Sequence, residues 1–331
     1  MQNTNSLDRL IRMWEKEPDF RDNVVFWHTE PERQADWVNF PDGLNPNTIL
    51  ALQKAGFQHL YRHQAEAYEL SQAGKHIVVT TGTASGKTLC YQLPVMDHLV
   101  HEPSARALFI FPTKALTQDQ QDGVNRLLKG LEPRPSAFIY DGDTSVAVRS
   151  KVRGAAGIIL TNPDMLHISI LPHHTLWADF FKSLRYIVID EIHIYRGIFG
   201  SHLTNLIRRL KRIAAFYGAH PQFILTSATI GNPQQLAERI IEESVSMVDR
   251  DGSPHGARHI LLFNPPIIHP EVGIRRSASS EAVRLVSDLL AYNVQTILFT
   301  RARRSVELLL RNLREHQSQH AAAQIRGYRS G

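Results

Sequence analysis

One loop of small residues limits the possible folds of this chain more than any other segment. It follows a β-branched run that predicts a strand at 76–80, and it precedes a helical pattern. Small residues let backbone N–H groups approach phosphate oxygens, and a following helix N-terminus adds its dipole to the same anion site. The loop matches G-x-x-x-x-G-K-[ST] except at its first position, where threonine replaces glycine. Its residues, called the phosphate loop below, are Thr81, Gly82, Thr83, Ala84, Ser85, Gly86, Lys87 and Thr88.

This loop predicts a nucleotide site in an α/β fold. Lys87 is expected to reach the β and γ phosphates, and the Thr88 hydroxyl to ligate Mg²⁺. An ordinary turn of small residues is the alternative, but the Gly-Lys-Thr ending and the flanking elements disfavour it.

A second candidate site follows the apolar run at 186–189, which predicts a buried strand ending in Asp190 and Glu191. In an open α/β sheet, ligands bind at the carboxyl ends of the strands. Asp190 suits the Mg²⁺ shell, and Glu191 can orient or deprotonate an attacking water. Alone, such a pair is a weak signal. It lies roughly 100 residues after the phosphate loop, and that context predicts phosphoryl transfer.

The wider pattern predicts a doubly wound, open, mostly parallel sheet with helices on both faces. Short β-branched runs alternate with helical patterns, which is typical of parallel sheets. Further strands are predicted at 107–111, 137–140, 157–161 and 223–226, and helices at 88–100 and 203–217.

Three regions are expected along the chain. Residues 1–45 form an extension whose tryptophans (Trp14, Trp27 and Trp37) suit packing onto a neighbouring domain. Residues 46–250 form the α/β domain, which ends near a turn-rich segment around residues 249–259. Residues 251–331 form a linker and the start of a second, similar domain, with strands at 260–263 and 296–299 and a helix at 279–291.

Composition excludes several classes of protein. The chain has no run of about 18 uncharged apolar residues, and charged residues occupy the N-terminal segment where a signal peptide needs an apolar core. The single cysteine, Cys90, excludes an internal disulfide. We therefore expect a cytoplasmic protein with no membrane partner. The formal net charge of +5 is a mild sign of a polyanionic partner. A basic helical segment is either a solvated face or a contact with nucleic acid: Arg208, Arg209, Lys211 and Arg212.

Taken with the phosphate loop, the sequence Asp190-Glu191-Ile192-His193 resembles the signature of the DExH helicases of superfamily 2. This resemblance implies a RecA-like P-loop NTPase domain that hydrolyses ATP with Mg²⁺. It assigns the catalytic roles to Lys87, Asp190, Glu191 and His193.

Other segments agree with motifs of that family in the same order. Tyr61-Arg62-His63-Gln64 resembles the glutamine motif, which implies that Gln64 contacts adenine. Ser227-Ala228-Thr229 resembles motif III, in which the hydroxyls of Ser227 and Thr229 couple the nucleotide state to strand binding. Three further segments resemble motifs Ia, Ib and IV, which contact a nucleic-acid strand: Pro112, Thr113 and Lys114; Thr161, Asn162 and Pro163; Thr300 and Arg301.

Within the superfamily, the wording of the phosphate loop and the segments 60–64 and 263–266 look most like the bacterial mitomycin-repair (MrfA) and fungal Hrq branch. That branch implies 3′-to-5′ movement on single-stranded or forked DNA in DNA repair. RNA is a less favoured partner, although motifs that grip sugar and phosphate do not distinguish the two.

The same resemblance places the end of the chain inside the second RecA-like domain, so a C-terminal part of the enzyme is expected to be missing. Motifs V and VI would lie there, with an arginine finger of a kind worth roughly 10³ to 10⁵ in rate. We therefore expect slow ATP turnover by this chain alone. A non-catalytic protein that binds ATP and nucleic acid stays open as the alternative.

Overall fold

The computed structural model describes residues 6–315 and 319–328. It forms two compact units. The large unit is Arg33–His255, and the small unit combines the described residues before Arg33 with those after His255. The boundaries expected at 45 and 250 both fall inside the large unit, because its edges are held by pairing: Trp37 pairs with Tyr61, and Arg33 forms a bridge with His255.

The strands of the described residues are β1 (Val24–Glu30), β2 (Trp37–Val38), β3 (Leu60–Tyr61), β4 (Ile77–Val79), β5 (Arg106–Ile110), β6 (Ala137–Ile139), β7 (Ile158–Thr161), β8 (Leu184–Ile189), β9 (Gln222–Thr226), β10 (Ser246–Val248), β11 (Arg258–Phe263), β12 (Ile267–His269) and β13 (Ile274–Arg275).

The α-helices of the described residues are α1 (Ser6–Lys16), α2 (Pro18–Arg21), α3 (Pro46–Lys54), α4 (Arg62–Gln72), α5 (Lys87–His101), α6 (Lys114–Leu128), α7 (Val146–Ala155), α8 (Pro163–Met165), α9 (Ala178–Lys182), α10 (Gly197–Phe216), α11 (Pro233–Ile241), α12 (Ala278–Ala291), α13 (Arg303–Glu315) and α14 (Gln319–Gln324). Shorter helical turns cover Leu166–Ile170, His174–Trp177, Ile192–Ile194 and Pro270–Val272.

The large unit is built on one parallel sheet. Within the described residues this sheet has seven strands in the order β10-β4-β9-β8-β5-β7-β6. Side chains alternate between its faces, so Ile77 and Val79 lie in one hydrophobic cluster and Val78 lies in the other. The two clusters bury the sheet on both faces, and the predicted RecA-like α/β class is confirmed. The structure also adds β10, which the sequence did not predict.

The small unit contains an antiparallel pair that the sequence did not predict. Strand β1 from the N-terminal extension pairs with β11, with Trp27 opposite Leu261. Trp14 stacks on Phe20 with ring centroids 4.6 Å apart and donates its indole N–H to Asp288 at 3.0 Å. Thus two of the three tryptophans pack in the small unit with the later part of the chain.

The strand predicted at 296–299 is wrong. The segment is irregular, and the side chains of Ile297 and Phe299 are 77% and 87% exposed. A short apolar run such as Ile297-Leu298-Phe299 favours extended backbone, but a strand forms only where a neighbouring strand supplies hydrogen bonds. The helix predicted at 279–291 is present as α12.

No helix among residues 6–315 and 319–328 has both the length and the apolar character needed to cross a membrane.

Candidate nucleotide and strand-binding site

Three neighbouring strands bring the predicted nucleotide-site residues together. Strands β4, β9 and β8 are adjacent and parallel, and their carboxyl ends lead into the phosphate loop, Ser227 and Asp190 respectively. Since neighbouring strands lie about 4.8 Å apart, Asp190 is about 10 Å across the sheet from the end of β4. The ammonium group of Lys87 is close enough to act on the charge of Asp190. The expected cluster at one sheet edge is therefore present.

The lysine of the phosphate loop bonds to carbonyl groups of the same loop. Lys87 Nζ donates to the carbonyl oxygens of Thr81 at 2.9 Å and Gly82 at 2.8 Å. The Thr81 and Ser85 hydroxyls lie 2.6 Å apart. Gly86 has φ of 81°, and a Cβ there would lie 2.7 Å from Gln64 Nε2. The positive φ favours glycine at this position, and a side chain there would also displace the Gln64 amide.

Gln64 lies against the phosphate loop. Its Oε1 accepts from Tyr61 N at 2.9 Å and its Nε2 donates to the Gly86 carbonyl at 3.1 Å. The side chain is buried. Oε1 and Nε2 can each form one further hydrogen bond. The predicted contact with adenine stays a prediction.

Asp190 is a buried carboxylate at the end of β8. Burial raises its pKa to about 6, against a lowering effect of the hydrogen bond from Thr226 Oγ1. The backbone N–H of Glu191 donates to the same Thr226 hydroxyl at 3.2 Å. Glu191 has φ of 55°, in the left-handed region, which turns the chain sharply after Asp190. Thr226 thus orients both acidic residues, a role that the sequence did not predict.

His193 connects this segment with motif III through the backbone. The Ala228 N–H donates to His193 Nδ1 at 3.1 Å, and the same nitrogen lies 3.1 Å from Glu191 Oε2. Because Ala228 supplies the proton, Nδ1 acts as an acceptor, and its approach to Glu191 is a close contact without a shared proton. The backbone of Ala228 thus links the imidazole of His193 with the motif III segment.

The hydroxyl bonds expected from motif III differ from those in the structure. The Ser227 hydroxyl is buried and has no hydrogen-bond partner among the described residues, while Thr229 is exposed. The contacts with the acidic segment come instead from Thr226 and from the Ala228 N–H. The sequence did contain one signal for Thr226. It is the last residue of a predicted strand and directly precedes the motif III segment.

The motif Ia and Ib residues begin helices at the same sheet edge. Thr113 caps α6, with Oγ1 accepting from Leu116 N at 3.3 Å, and Lys114 is exposed and paired with Asp143 at 3.0 Å. Asn162 caps α8, with Oδ1 accepting from Met165 N at 2.9 Å. Pro112 is half-buried.

Motif Ib offers less side-chain surface than the sequence predicted. Thr161 is fully buried and donates its hydroxyl to the Tyr140 carbonyl at 2.7 Å. Pro163 is also buried. A strand could therefore meet the backbone here, but not the Thr161 hydroxyl. In the small unit, Thr300 and Arg301 of the motif IV segment are both exposed.

A groove of about 910 Å³ adjoins motif Ib along α10. Its lining includes Pro163, Asp164 and Glu242, together with four cations of α10: Arg208, Arg209, Lys211 and Arg212. Arg208 is paired with Glu242, and Lys211 with Glu243. Two of the four cations are therefore paired with carboxylates of the large unit. These contacts do not decide between a solvated helix face and a contact with nucleic acid.

Comparisons with known proteins show which family this chain resembles. A model of the DEAD/DEAH box helicases matches residues 61–236. The chain is 48% identical over 311 residues to the uncharacterized ATP-dependent helicase YprA of Bacillus subtilis (strain 168), covering 94% of this chain and 42% of that protein. It is 35% identical to the ATP-dependent helicase HRQ1 of Saccharomyces cerevisiae, covering 98% of this chain and 31% of that protein.

Among solved structures, the DUF1998 helicase MrfA bound to DNA and AMPPNP superposes with a TM-score of 0.88 at 47% identity. The match covers 93% of this chain and 42% of that one. The chain thus spans less than half the length of these relatives.

Proposed function

Because this chain belongs to the DEAD/DEAH box helicase family, we propose that it is the ATP-binding part of a DNA helicase motor. ATP hydrolysis would drive 3′-to-5′ movement on single-stranded DNA, in DNA repair. The observation that carries the proposal is that the phosphate loop and Asp190 follow the carboxyl ends of β4 and β8, with β9 and its Thr226 between these two strands. The family resemblance inferred from the motifs is confirmed; polarity and the repair role come only from the resemblance to the MrfA and Hrq branch.

The residues present fit Mg²⁺ and a nucleoside triphosphate. Mg²⁺ prefers oxygen ligands and a few protein groups beside phosphate oxygens, which Thr88 and the buried carboxylate of Asp190 can supply. Lys87 would give up its bonds to the loop carbonyls in favour of phosphate oxygens. Glu191, held by the Thr226 hydroxyl through its backbone, would orient the attacking water. Bound Mg²⁺ would supply charge neutralisation for the transferring phosphoryl group.

Strand binding is proposed at the starts of α6 and α8. The N-terminus of α6 presents backbone N–H groups that suit phosphate oxygens, and Lys114 adds an exposed cation there. At α8, Pro163 has no N–H and the Met165 N–H bonds to Asn162, so only the Asp164 N–H is offered in this turn. The MrfA relative was crystallised with DNA, which favours DNA as the partner of this chain.

Nucleotide binding is tested with Lys87→Ala. Loss of the ammonium removes the charge that pairs with the β and γ phosphates, so we expect affinity for a fluorescent ATP analogue with Mg²⁺ to fall by about 100-fold, or roughly 3 kcal/mol. Lys75→Ala is the matched control, since Lys75 is an exposed lysine in the turn before β4. Equal affinity of the two variants would contradict the proposed site.

The choice of nucleic acid is tested by competition between matched DNA and RNA strands for the full chain. We expect DNA to compete at lower concentration, and Lys114→Ala to weaken both strands by a few-fold because it removes one phosphate contact. Preferential binding of RNA would overturn the DNA assignment while leaving the ATP site intact.

Slow turnover by this chain alone also remains a prediction. A DNA-stimulated ATPase assay measures it, and turnover of several ATP per second would contradict it.

A further inference from the structure

A single peptide group in the phosphate loop is held from both sides by charged residues. Lys87 Nζ donates to the Thr81 carbonyl at 2.9 Å, and the Gly82 N–H donates to Asp251 Oδ2 at 3.1 Å. Both backbone atoms belong to the peptide between residues 81 and 82, which is planar and moves as one body. A change at its carbonyl is therefore felt at its N–H.

Asp251 is ionised and firmly oriented. Its Oδ1 accepts from the Ser253 N–H at 2.9 Å and from the Ser253 hydroxyl at 2.7 Å. Burial acts to raise the pKa of Asp251, but the hydrogen bonds from Ser253 and Gly82 outweigh it and hold the pKa below its ordinary value. Asp251 Oδ2 also lies 3.3 Å from the Arg33 guanidinium.

A second link ties the same segment to the phosphate loop. The Gly252 N–H donates to His63 Nδ1 at 3.2 Å, and His63 Nε2 lies 3.1 Å from the Ser85 carbonyl. Because Nδ1 accepts, the proton is on Nε2 and is donated to Ser85. Asp251 thus bonds directly to the loop at Gly82, and Gly252 is linked through His63 to the loop at Ser85.

The segment continues to the points where the chain passes between the two units. Arg33 and His255 pair through their backbones, at 2.8 and 3.0 Å, and we call them the connecting pair. The Arg33 guanidinium also donates to the Ser253 carbonyl at 2.8 and 3.1 Å. The large unit begins at Arg33 and ends at His255, so both covalent connections leave it at this pair.

We propose that Asp251 is a positioning residue that transmits occupation of the phosphate loop to the connecting pair. The path runs from Lys87 through the peptide 81–82 to Asp251, then to Arg33 and His255. Charges alternate along it, and polarised hydrogen bonds in such a chain strengthen one another. The inference rests on the proposed nucleotide binding.

The expected sequence of events follows from the charges. When Lys87 turns to a phosphate, the Thr81 carbonyl loses its cation, and the Gly82 N–H becomes a weaker donor to Asp251. The negative triphosphate also repels the Asp251 carboxylate. Both effects loosen Asp251 from the loop and change its hold on Arg33.

Hydrogen exchange of the full chain tests this path, with and without AMPPNP and Mg²⁺. In the unmodified chain, we expect nucleotide to change the exchange of peptides that contain the amides of Arg33, Ser253 and His255. Asp251→Ala should bind AMPPNP but lose this change. Asp249→Ala is the matched control, an exposed carboxylate in the same segment, and it should keep the change. If Asp251→Ala shows the same nucleotide-dependent change in exchange as the unmodified chain, the proposal is overturned.

Arg33→Gln tests the same path at the connecting pair. It also provides a test if Asp251→Ala does not fold. The Arg33 side chain is 43% exposed, so folding should tolerate the substitution. We expect loss of the nucleotide-dependent change at His255 and retention at Gly82; an unaltered change at both would refute the path. If the unmodified chain binds no AMPPNP, the proposed function fails. If it binds but exchange at Arg33 and His255 stays the same, this inference alone fails.

Discussion

At the scale of single residues, the site contains a buried carboxylate whose ionisation costs free energy in the folded state. Asp190 is buried beside Glu191, and its carboxyl has a pKa of about 6 in place of an ordinary value of 3.8. Proteins retain such groups where function needs them, because a buried carboxylate is costly to ionise.

This cost predicts a stabilising substitution. Below about pH 4, Asp190 is protonated in both the folded and unfolded states; above about pH 6, it is ionised in both, and burial of the charge destabilises the fold. Asp190→Asn keeps an oxygen for the Thr226 hydroxyl and removes the charge. We expect it to raise the free energy of unfolding by about 1–2 kcal/mol at pH 8 and hardly at all at pH 4.

Denaturant unfolding without nucleotide or Mg²⁺ measures this difference. Glu191→Gln is the control, because that side chain is only partly buried and should change stability little at either pH. A gain for Asp190→Asn that is the same at pH 4 and pH 8 would show that the charge is not its source.

Sequence motifs predicted the main site residues but not the groups that hold them. Lys87 and Asp190 could be inferred because their types and flanking strands follow from phosphate chemistry. Thr226 and Asp251 act only through contacts across 36 and 169 positions of sequence, and such pairings depend on strand order. Thr161 was misjudged for a related reason: its hydroxyl faces a buried neighbour, which the motif alone does not reveal.

At the scale of elements, the parallel strands were predictable because they are buried on both faces. Continuous apolar runs such as those in β5 and β8 favour a buried strand over a surface strand or a loop. Strand β1 was missed because it lies at an edge and mixes exposed and half-buried positions. Its partner β11 is more than 200 residues away, so local pattern carries no sign of the pairing.

The aromatic cluster beside β1 gives a second stability prediction. Trp14 is 7% exposed, stacks on Phe20 and bonds to Asp288. Trp14→Ala should lower the free energy of unfolding of the small unit by about 3 kcal/mol, because a large cavity is left and the half-buried Asp288 carboxylate loses its indole donor. Tryptophan fluorescence and near-ultraviolet circular dichroism during denaturant unfolding measure the effect.

Trp37→Ala is the control for that experiment. Trp37 is 54% exposed, lies in the large unit and stacks on Tyr61 with centroids 4.4 Å apart. A loss of about 1 kcal/mol or less is expected there, in line with an exposed aromatic pair. Similar losses for both variants would contradict the view that Trp14 anchors the small unit.

At the scale of the whole molecule, the large unit contains every part of the proposed nucleotide site. The phosphate loop, Asp190 and Thr226 all lie between Arg33 and His255, and both hydrophobic clusters that bury the sheet lie there too. By contrast, the small unit depends on both ends of the chain, because β1 pairs with β11.

This division predicts that residues 33–255 fold and bind nucleotide without the rest of the chain. Since no residue of the proposed site comes from outside this range, we expect its affinity for AMPPNP with Mg²⁺ to match that of the full chain within about threefold, or about 0.7 kcal/mol. The shorter chain should also show one cooperative unfolding transition. Calorimetric titration and thermal unfolding of the two chains measure both quantities. The shorter chain carrying Lys87→Ala serves as the control for specific binding, and a well-folded 33–255 with no affinity for AMPPNP would mean that the small unit contributes to the nucleotide site after all.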